Sequence, residues 1–209
     1  MTDSNQVHRF DWLSEYLARL EDEHVIAHHG NARVLAPAHR LELDPEDWVV
    51  AARLAAGMGM RHAGVWADPL EEACPDTGLV PEAARAGQEA PEQPCVRVRA
   101  CLELGGDYLV IETDVPLGRP LLGSQTPVYP GLDRLERHAH DLTGVVFTGH
   151  PDERRWTRHQ AWPEDRFPLR RDFPLGGEAV RRTPADADYP FVRVQGAGVY
   201  EIPVGPVHA

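Results

Sequence analysis

Apolar positions along the chain follow two periods, one typical of helices and one typical of strands. Near the start, four apolar residues stand three or four positions apart and predict an amphipathic helix over about residues 6–21. These residues are Phe10, Leu13, Leu17 and Leu20. Apolar and polar residues alternate from 96 to 104, which predicts a half-buried strand. Gly105 and Gly106 then lead into the apolar run 108–115, so this region is predicted to be a β-hairpin.

A second helix is predicted between strands. Asp44 is a typical N-cap and Pro45 a typical first helical residue, and the apolar residues that follow end near Gly57. The flanking runs that are typical of extended chain are 32–35, 39–43 and 60–66. Together with the hairpin, this order predicts an α+β fold in which a small mixed sheet has helices packed on one face.

A third helix is predicted over 132–142, because its apolar residues share one face and Gly144 is a typical C-cap. The apolar positions are Leu132, Leu135, Ala139 and Leu142. Residues 145–147 are predicted to be extended. Beyond them Gly, Pro and Arg are frequent and no period is visible. We therefore expect a long irregular Arg/Pro-rich C-terminal extension that lies along a partner surface.

These patterns divide the chain into three parts. Residues 1–130 are predicted to form the α+β domain, with a Pro-rich surface excursion over 68–94. Residues 131–182 carry the third helix and a docking segment, and residues 183–209 form an extended tail.

Charge narrows the choice of partners. The 209 residues include 33 acidic and 21 basic ones, and the net charge of −12 disfavours binding to nucleic acid or to an anionic membrane surface. Every basic residue is Arg, and consecutive pairs occur at Arg154-Arg155, Arg170-Arg171 and Arg181-Arg182. Two interpretations stay open for these pairs. They are solvated charges with local acidic partners, or they bind carboxylates of a neighbouring subunit.

Candidate chemistry within the chain is sparse. The three cysteines contain no C-x-x-C pair, so we expect reduced structural thiols and no iron–sulfur or zinc-ribbon site. A small metal-dependent hydrolase would need His138, His140, His150 and Asp141 as ligands. Helical spacing places the first two on different sides of the helix axis, which disfavours that alternative. Since no nucleophile or phosphate-loop motif is present either, the residues predict a docking segment on a small domain.

Two motifs carry a family resemblance. They are LERHAHDLTGVVFTGHPDERR at 135–155 and FPLRRDFP at 167–174, with Trp162 between them. They closely resemble the signature of the respiratory complex I 30-kDa subunit family. That family includes the C subunit of NADH-quinone oxidoreductase and the N-terminal domain of group 4 [NiFe] hydrogenase large subunits. His138 stands where the family has Glu, and Arg171 where it has Lys.

The resemblance implies a subunit with no catalytic residue, cofactor or metal of its own. It assigns to subunit interfaces the signature residues Glu136, Arg137, Asp141, Gly144, Gly149, His150, Pro151, Asp152, Arg154, Arg155, Pro168, Leu169, Arg170, Arg171 and Asp172. The implied partners are the [NiFe]- or 49-kDa-type large subunit and the iron–sulfur small subunit. A nickel–iron centre and iron–sulfur clusters, or FMN, NADH and quinone, belong to those partners.

The tail refines the choice within the family. Residues 199–209 resemble the opening of a hydrogenase large subunit or of its 49-kDa counterpart in complex I, so the chain is most like the N-terminal domain of a group 4 [NiFe] hydrogenase large subunit of the formate hydrogenlyase type. In complex I homologues the matching loop approaches quinone, which gives His208 a quinone-loop-like position. We therefore expect a cytoplasmic protein, peripheral on the inner face of the cell membrane through its complex. A stand-alone C subunit of NADH-quinone oxidoreductase and an orphaned fragment are the alternatives.

Overall fold

The computed structural model describes residues 11–25, 27–29, 38–70, 94–158, 162–177 and 196–198. The helices are α1 (Asp11–Asp22), α2 (Trp48–Gly57) and α3 (Asp133–Thr143), the last preceded by a 3-10 turn at Pro130–Leu132. The strands are β1 (Ala27–His29), β2 (Ala38–Leu43), β3 (Arg61–Pro69), β4 (Cys95–Leu104), β5 (Asp107–Pro116), β6 (Leu121–Gly123) and β7 (Val146–Thr148).

Five strands form a mixed sheet in the order β1-β2-β5-β4-β3. The β2–β5 pair is parallel and the other pairs are antiparallel. Strands β2 and β3 therefore point the same way, with α2 connecting them and the β4–β5 hairpin inserted between them. The expected α+β fold, with its mixed sheet, is confirmed. Strands β6 and β7 form a separate parallel pair.

The two faces of the sheet differ in chemistry. One face is apolar, and Val96, Val98 and Ala100 of β4 are fully buried beneath the helices. Trp48 of α2 and Tyr16 of α1 are buried in the same core. The phenol of Tyr16 donates to the carbonyl of Ala51 at 3.0 Å, which joins α1 to α2. The helices are thus on one face, as the alternation in β4 predicts, and the opposite face is charged.

Two local predictions need correction. Helix α2 begins at Trp48 and not at Pro45, because residues 45–47 form a turn in which the N–H of Asp47 donates to the carbonyl of Asp44 at 3.0 Å. The expectation that every cysteine is reduced is wrong at Cys95, which is disulfide-bonded, whereas Cys101 is free.

Several predicted features lie outside the described residues. They are the start of the first helix at 6–10, the strand at 32–35, most of the excursion over 68–94, Arg181-Arg182, and nearly all of the tail at 183–209 with His208. The boundaries of the three predicted parts stay predictions. In the part of the chain that the structure describes, no helix is long and apolar enough to cross a bilayer.

His62 is a half-buried titratable group at the start of the edge strand β3. Its ring makes a T-shaped contact with Tyr129 at 5.2 Å between centroids, and both its nitrogens are shielded from solvent. The nearby Gln125 side chain does not complete a hydrogen bond with it, since the Gln125 Oε1 atom also lacks a partner. Burial lowers the pKa of His62 to about 4, against a smaller opposing effect of Gln125.

We expect this imidazole to make folding sensitive to mild acid. The unfolded chain takes up the proton near pH 6.5 and the folded chain only near pH 4, so stability falls as pH decreases between these values. Because the ring is partly exposed, the loss should be about 1–2 kcal/mol. The measurement is urea unfolding at pH 7.5 and pH 5.0, for the wild type and His62→Phe. An equal pH dependence in both proteins would contradict the assignment.

Candidate functional site

The buried side of helix α3 carries charged side chains. Glu136, Arg137 and Asp141 are buried, whereas Leu135 is 38% exposed. The predicted apolar face is therefore wrong at Leu135, although Leu132 and Ala139 are buried as expected. We call the group around the buried charges the α3 charge cluster. It consists of Glu136, Arg137, Asp141, His150, Asp152 and Arg158.

Glu136 binds the segment that follows β6. Its carboxylate accepts hydrogen bonds from the Ser124 hydroxyl at 2.5 Å, the Gln125 N–H at 2.7 Å and the Thr126 hydroxyl at 2.7 Å. The carboxylate is completely buried, and these donors replace the water that it loses. Glu136 therefore attaches α3 to residues 124–126.

Asp141 binds the backbone that follows the first signature motif. Consecutive N–H groups of Trp156, Thr157 and Arg158 donate to its Oδ2 atom at 2.8, 2.6 and 3.0 Å. The Nε atom of Arg158 lies 3.5 Å from the other oxygen. Burial raises the pKa of Asp141, but the backbone hydrogen bonds and Arg158 outweigh it, so the net pKa is below its usual value. Asp141 is therefore a carboxylate held in a nest of backbone donors.

Arg137 holds the backbone of the first arginine pair. Its Nε atom donates to the carbonyl of Arg154 at 2.6 Å, and Nη2 donates to the carbonyl of Arg155 at 3.2 Å. Its Nη1 atom lies 3.0 Å from the carboxylate of Asp152. One guanidinium thus fixes the path of residues 152–155.

His150 is held in one tautomer by its two neighbours. The N–H of Asp152 donates to its Nδ1 atom at 3.0 Å, so that nitrogen is unprotonated. The proton is then on Nε2, which lies 3.1 Å from the carbonyl of Asp133 and donates to it. The side chain of Asp152 in turn binds Arg154, whose hydrogen bonds hold the pKa of that carboxyl well below its usual range.

The second motif covers the C-terminal end of α3. Gly144 ends the helix in the left-handed conformation, with φ of 80°. The N–H of Leu169 donates to the carbonyl of Leu142 at 3.0 Å, and Nε of Arg170 donates to the carbonyl of Thr143 at 2.6 Å. The Arg170 guanidinium, which stacks on Phe167, therefore lies at the negative end of the helix dipole.

Gly144 is expected to be intolerant of a side chain. A Cβ atom there would lie 2.2 Å from Nη2 of Arg170, in addition to the strain of the positive φ. Gly144→Ala should lower the free energy of unfolding by about 2–3 kcal/mol. Gly149→Ala is the matched control, because Gly149 has the same φ of 80° and open space around it. Gly149→Ala should lower the free energy of unfolding by only about 1 kcal/mol. Urea unfolding of both variants measures the two losses. Equal losses would show that the contact with Arg170 is unimportant.

Sequence reasoning missed Arg158, although it joins the two motifs. This side chain is 3% exposed, and its Nη1 atom donates to the carbonyl of Arg166 at 2.6 Å. The carbonyls of Pro163 and Glu164 are within 3.4 Å of the same nitrogen, and the guanidinium stacks on Phe167. No pattern marks Arg158 in advance, since it lies between the motifs in a segment without periodicity.

Sequence reasoning also missed a charged network on the open face of the sheet. Glu112 of β5 is fully buried there beneath three guanidiniums. Its carboxylate is bound by Arg40, whose Nε donates at 2.6 Å, and by Arg99, whose Nε donates at 3.0 Å, while Nη1 of Arg97 lies 3.4 Å away. Arg97 also makes a two-pronged contact with Asp114 at 2.6 Å. This network explains why a charged residue is buried on the face opposite the helices.

The signature residues fall into two groups by exposure. Among the buried or half-buried ones, Arg137, Asp141 and Arg170 join the segment 150–173 to α3. Glu136 binds residues 124–126 instead. Arg155 acts within the segment, where its Nη1 donates to the carbonyl of Trp162 at 2.8 Å. The exposed ones form the second group. They are Gly149, Pro151, Arg154, Leu169, Arg171 and Asp172, with Pro168 half-buried beside them.

The histidines bind neighbouring groups of the fold. The Nδ1 atom of His138 contacts the hydroxyl of Thr157 at 2.6 Å, and that of His140 contacts the carbonyl of Val145 at 2.9 Å. Among the described residues, no three His, Cys, Asp or Glu side chains are arranged to hold a metal ion. A cavity of about 230 Å³ lies beside the cluster, lined by Arg137, His150 and Phe147 among others.

Comparisons with known proteins match this region. Residues 88–179 match the family model of the respiratory-chain NADH dehydrogenase, 30 Kd subunit. The C subunit of NADH-quinone oxidoreductase from Sinorhizobium medicae is 52% identical over 54 residues, which are 26% of this chain and 26% of that protein. Hydrogenase-4 component G of Escherichia coli is 33% identical over 101 residues, which are 48% of this chain and 18% of that protein. The matched segments thus span only a minor part of either relative.

A solved structure supports the fold. A chain of the membrane-bound sulfane sulfur reductase (MBS), an archaeal respiratory membrane complex, superposes with a TM-score of 0.56 at 15% identity, over 79% of this chain and 87% of that one. The matched family region contains the β4–β5 hairpin, α3 and both signature motifs. Over residues 88–179, the chain is thus similar to the family of the respiratory-chain NADH dehydrogenase 30 Kd subunit.

Proposed function

We propose that the chain is a non-catalytic accessory subunit or domain of a membrane-associated hydrogenase or complex I-like oxidoreductase. The observation that carries this proposal is that the family motifs contain two sets of residues. The buried set holds the motifs in place, and the exposed set is open to a partner. Their buried charges Arg137 and Asp141 hold the irregular segment 152–158 against α3 through hydrogen bonds to its backbone, and buried Glu136 attaches the same helix to residues 124–126. A segment that is ordered before binding loses little conformational entropy when a partner docks on it, which suits a permanent interface.

The exposed signature residues are the proposed contacts with the partners. Arg154 is 83% exposed and binds Asp152 with one edge of its guanidinium, which leaves its other donors for a partner carboxylate. Leu169, 47% exposed, supplies an apolar contact beside Arg171 and Asp172. The proposed partners are the [NiFe]- or 49-kDa-type large subunit and the iron–sulfur small subunit.

The cofactors of the reaction are assigned to those partners. They would be a nickel–iron centre with iron–sulfur clusters, or FMN, NADH and quinone. The chain itself would act by positioning, in a complex on the cytoplasmic face of the membrane. His208 keeps its proposed position near a quinone-type loop.

A stand-alone C subunit of NADH-quinone oxidoreductase is the second candidate. It is favoured by relatives of that name, which are 50–54% identical over short matches such as the 50 residues shared with Rhodopseudomonas palustris strain BisB18. The longer match with Hydrogenase-4 component G, over 48% of this chain, favours the hydrogenase assembly.

Affinity capture distinguishes the candidates. The tagged full chain is expressed in its host, recovered from gently solubilised membranes, and its partners are identified by mass spectrometry. A [NiFe]-type large subunit with an iron–sulfur small subunit is expected. NADH-oxidising subunits would establish the second candidate, and a chain recovered alone would overturn both.

Charge-reversal variants test the proposed contact surface in the same assay. Arg154→Glu should reduce recovery of the large subunit, because it places an anion where a carboxylate is expected. Arg119→Glu is the matched control, since Arg119 is also exposed and lies in a turn after β5, away from the motifs. Equal recovery with both variants would remove Arg154 from the interface.

A further inference from the structure

The guanidinium of Arg170 is bound along one edge only. Its Nε atom donates to the carbonyl of Thr143 at 2.6 Å, and its Cζ atom lies 4.2 Å from the centroid of the Phe167 ring. The residue is half-buried, and among the described residues no acceptor binds its two Nη atoms. Neither of these nitrogens is among the buried atoms that lack a partner, so this edge reaches solvent. The bound edge thus fixes the direction in which the open edge points.

Positive charge at Arg170 is not balanced by a neighbouring carboxylate. Arg158 lies over the same Phe167 ring, 4.6 Å from its centroid, and the anion beside Arg158 is Asp141 at 3.5 Å. In the described part of the chain no carboxylate forms an ion pair with Arg170, and Asp172 acts on it only from a greater distance. Burial is the main cause that lowers the pKa of Arg170, Asp172 opposes it, and Arg158 adds to it. A carboxylate at the open edge would therefore stabilise this guanidinium.

The first arginine pair differs in this respect. Arg154 lies 2.7 Å from the carboxylate of Asp152, and Arg155 lies 2.6 Å from that of Glu164. Both residues thus have an acidic partner within this chain. Of the two interpretations of the arginine pairs, binding to a carboxylate of a neighbouring subunit is therefore the one that accounts for Arg170.

We propose that the open edge of Arg170 binds the carboxylate of an Asp or Glu side chain in a partner subunit, with both Nη atoms as donors. Leu169 precedes Arg170, is 47% exposed, and shields such a contact from water. The bound edge keeps the guanidinium in place, so little side-chain entropy is lost when the carboxylate binds. This inference rests on the proposed function, because it specifies the chemistry of one contact between subunits. It gives Arg170 a second role beside its contact with Thr143.

Carbodiimide crosslinking of the assembled complex tests this contact. The chain contains no Lys, so Arg170→Lys supplies its only lysine and keeps the positive charge. A carbodiimide joins an amine to a carboxylate only where the two groups are in contact. The full chain with a lysine-free tag is expressed in its host, purified with its partners, treated with the carbodiimide and analysed by mass spectrometry. Arg119→Lys is the matched control, since Arg119 is exposed in the turn after β5.

The position of the new amide decides the outcome. We expect an amide between residue 170 and an Asp or Glu of one partner subunit, and no comparable amide at residue 119. An amide only with an acid of this chain, such as Asp172, would overturn the proposal. An amide at residue 170 no more abundant than that of the control, or none, would overturn it as well.

A double-mutant cycle supplies a second readout, which a purely structural role of Arg170 would not change. Arg170→Gln should weaken retention of the partner about tenfold, as expected for the loss of one charged contact. The partner acid identified by crosslinking is then replaced by its amide. Both changes together should weaken retention no more than either change alone. Additive effects would show that Arg170 acts only by holding the end of α3, and thermal unfolding establishes that each variant is folded.

The two proposals can fail separately. The identity of the captured subunits tests the proposed function, and the position of the amide tests the contact at Arg170. Oxidoreductase subunits captured without an amide at residue 170 would leave the function and remove the contact. An amide between residue 170 and an unrelated protein would overturn the function and retain the carboxylate contact.

Discussion

Replacing Asp141 by Ala is expected to lower the free energy of unfolding by about 3–5 kcal/mol. The substitution leaves three consecutive backbone N–H groups without an acceptor and removes the anion beside the buried Arg158. Asp141→Asn retains an acceptor oxygen but removes the charge, so its loss should be about 1–2 kcal/mol. The measurement is urea unfolding at pH 7, followed by circular dichroism.

Asp172→Ala is the control, because Asp172 is a signature carboxylate that is not buried. Asp172 is exposed, and its loss should change stability by less than about 0.5 kcal/mol. The pH dependence gives a second check. The pKa of folded Asp141 is lowered, so its contribution is present above the unfolded value near 4 and is lost as pH falls below it. The difference between the wild type and Asp141→Asn should therefore shrink in acid, and a difference that stays constant would refute the ionised state.

The second large effect is expected on the open face of the sheet, at Glu112. Glu112→Gln keeps the shape of the side chain but removes the charge that Arg40, Arg97 and Arg99 share. Because these guanidiniums are themselves partly exposed, water compensates in part, and the loss of stability should be about 2–3 kcal/mol. Urea unfolding at low and at high salt measures it.

Glu42→Gln is the matched control on the same face. Glu42 is half-exposed and lies 3.9 Å from Arg97, a geometry typical of a weak surface ion pair. Its replacement should change stability by less than about 1 kcal/mol. If Glu112→Gln and Glu42→Gln lower the free energy of unfolding equally, the buried position of Glu112 does not matter and the network is only a set of surface ion pairs.

Part of this network could have been predicted from the hairpin alone. The two-residue turn at Gly105 and Gly106 pairs Leu104 with Asp107. Counting away from the turn along both strands then pairs Arg99 with Glu112 and Arg97 with Asp114. Opposite charges directly across an antiparallel pair are stabilising, so the sequence contained a usable signal. It contained none for Arg40, which reaches Glu112 from a strand far away in the sequence.

The signature motifs were recognisable for a different reason. Residue types and their spacing identified Glu136, Asp141 and Arg170 without any knowledge of their contacts. Their physical roles depend on donors and acceptors supplied by other segments, such as the N–H of Gln125 for Glu136 and the carbonyl of Thr143 for Arg170. Helix periodicity could not show these roles, because it measures only how apolar residues are distributed around the axis.

The amino-acid sequence by itself determined the local elements, the hairpin with its register, and the two motifs that mark the family. These depend on side-chain period, turn residues and residue spacing, all of which are local properties. Only the tertiary structure decided which side of α3 is buried and that Leu135 stays exposed. A charged side of a helix can be buried only where distant segments bring hydrogen-bond partners to it, and residues 124–126 and 156–158 do so here.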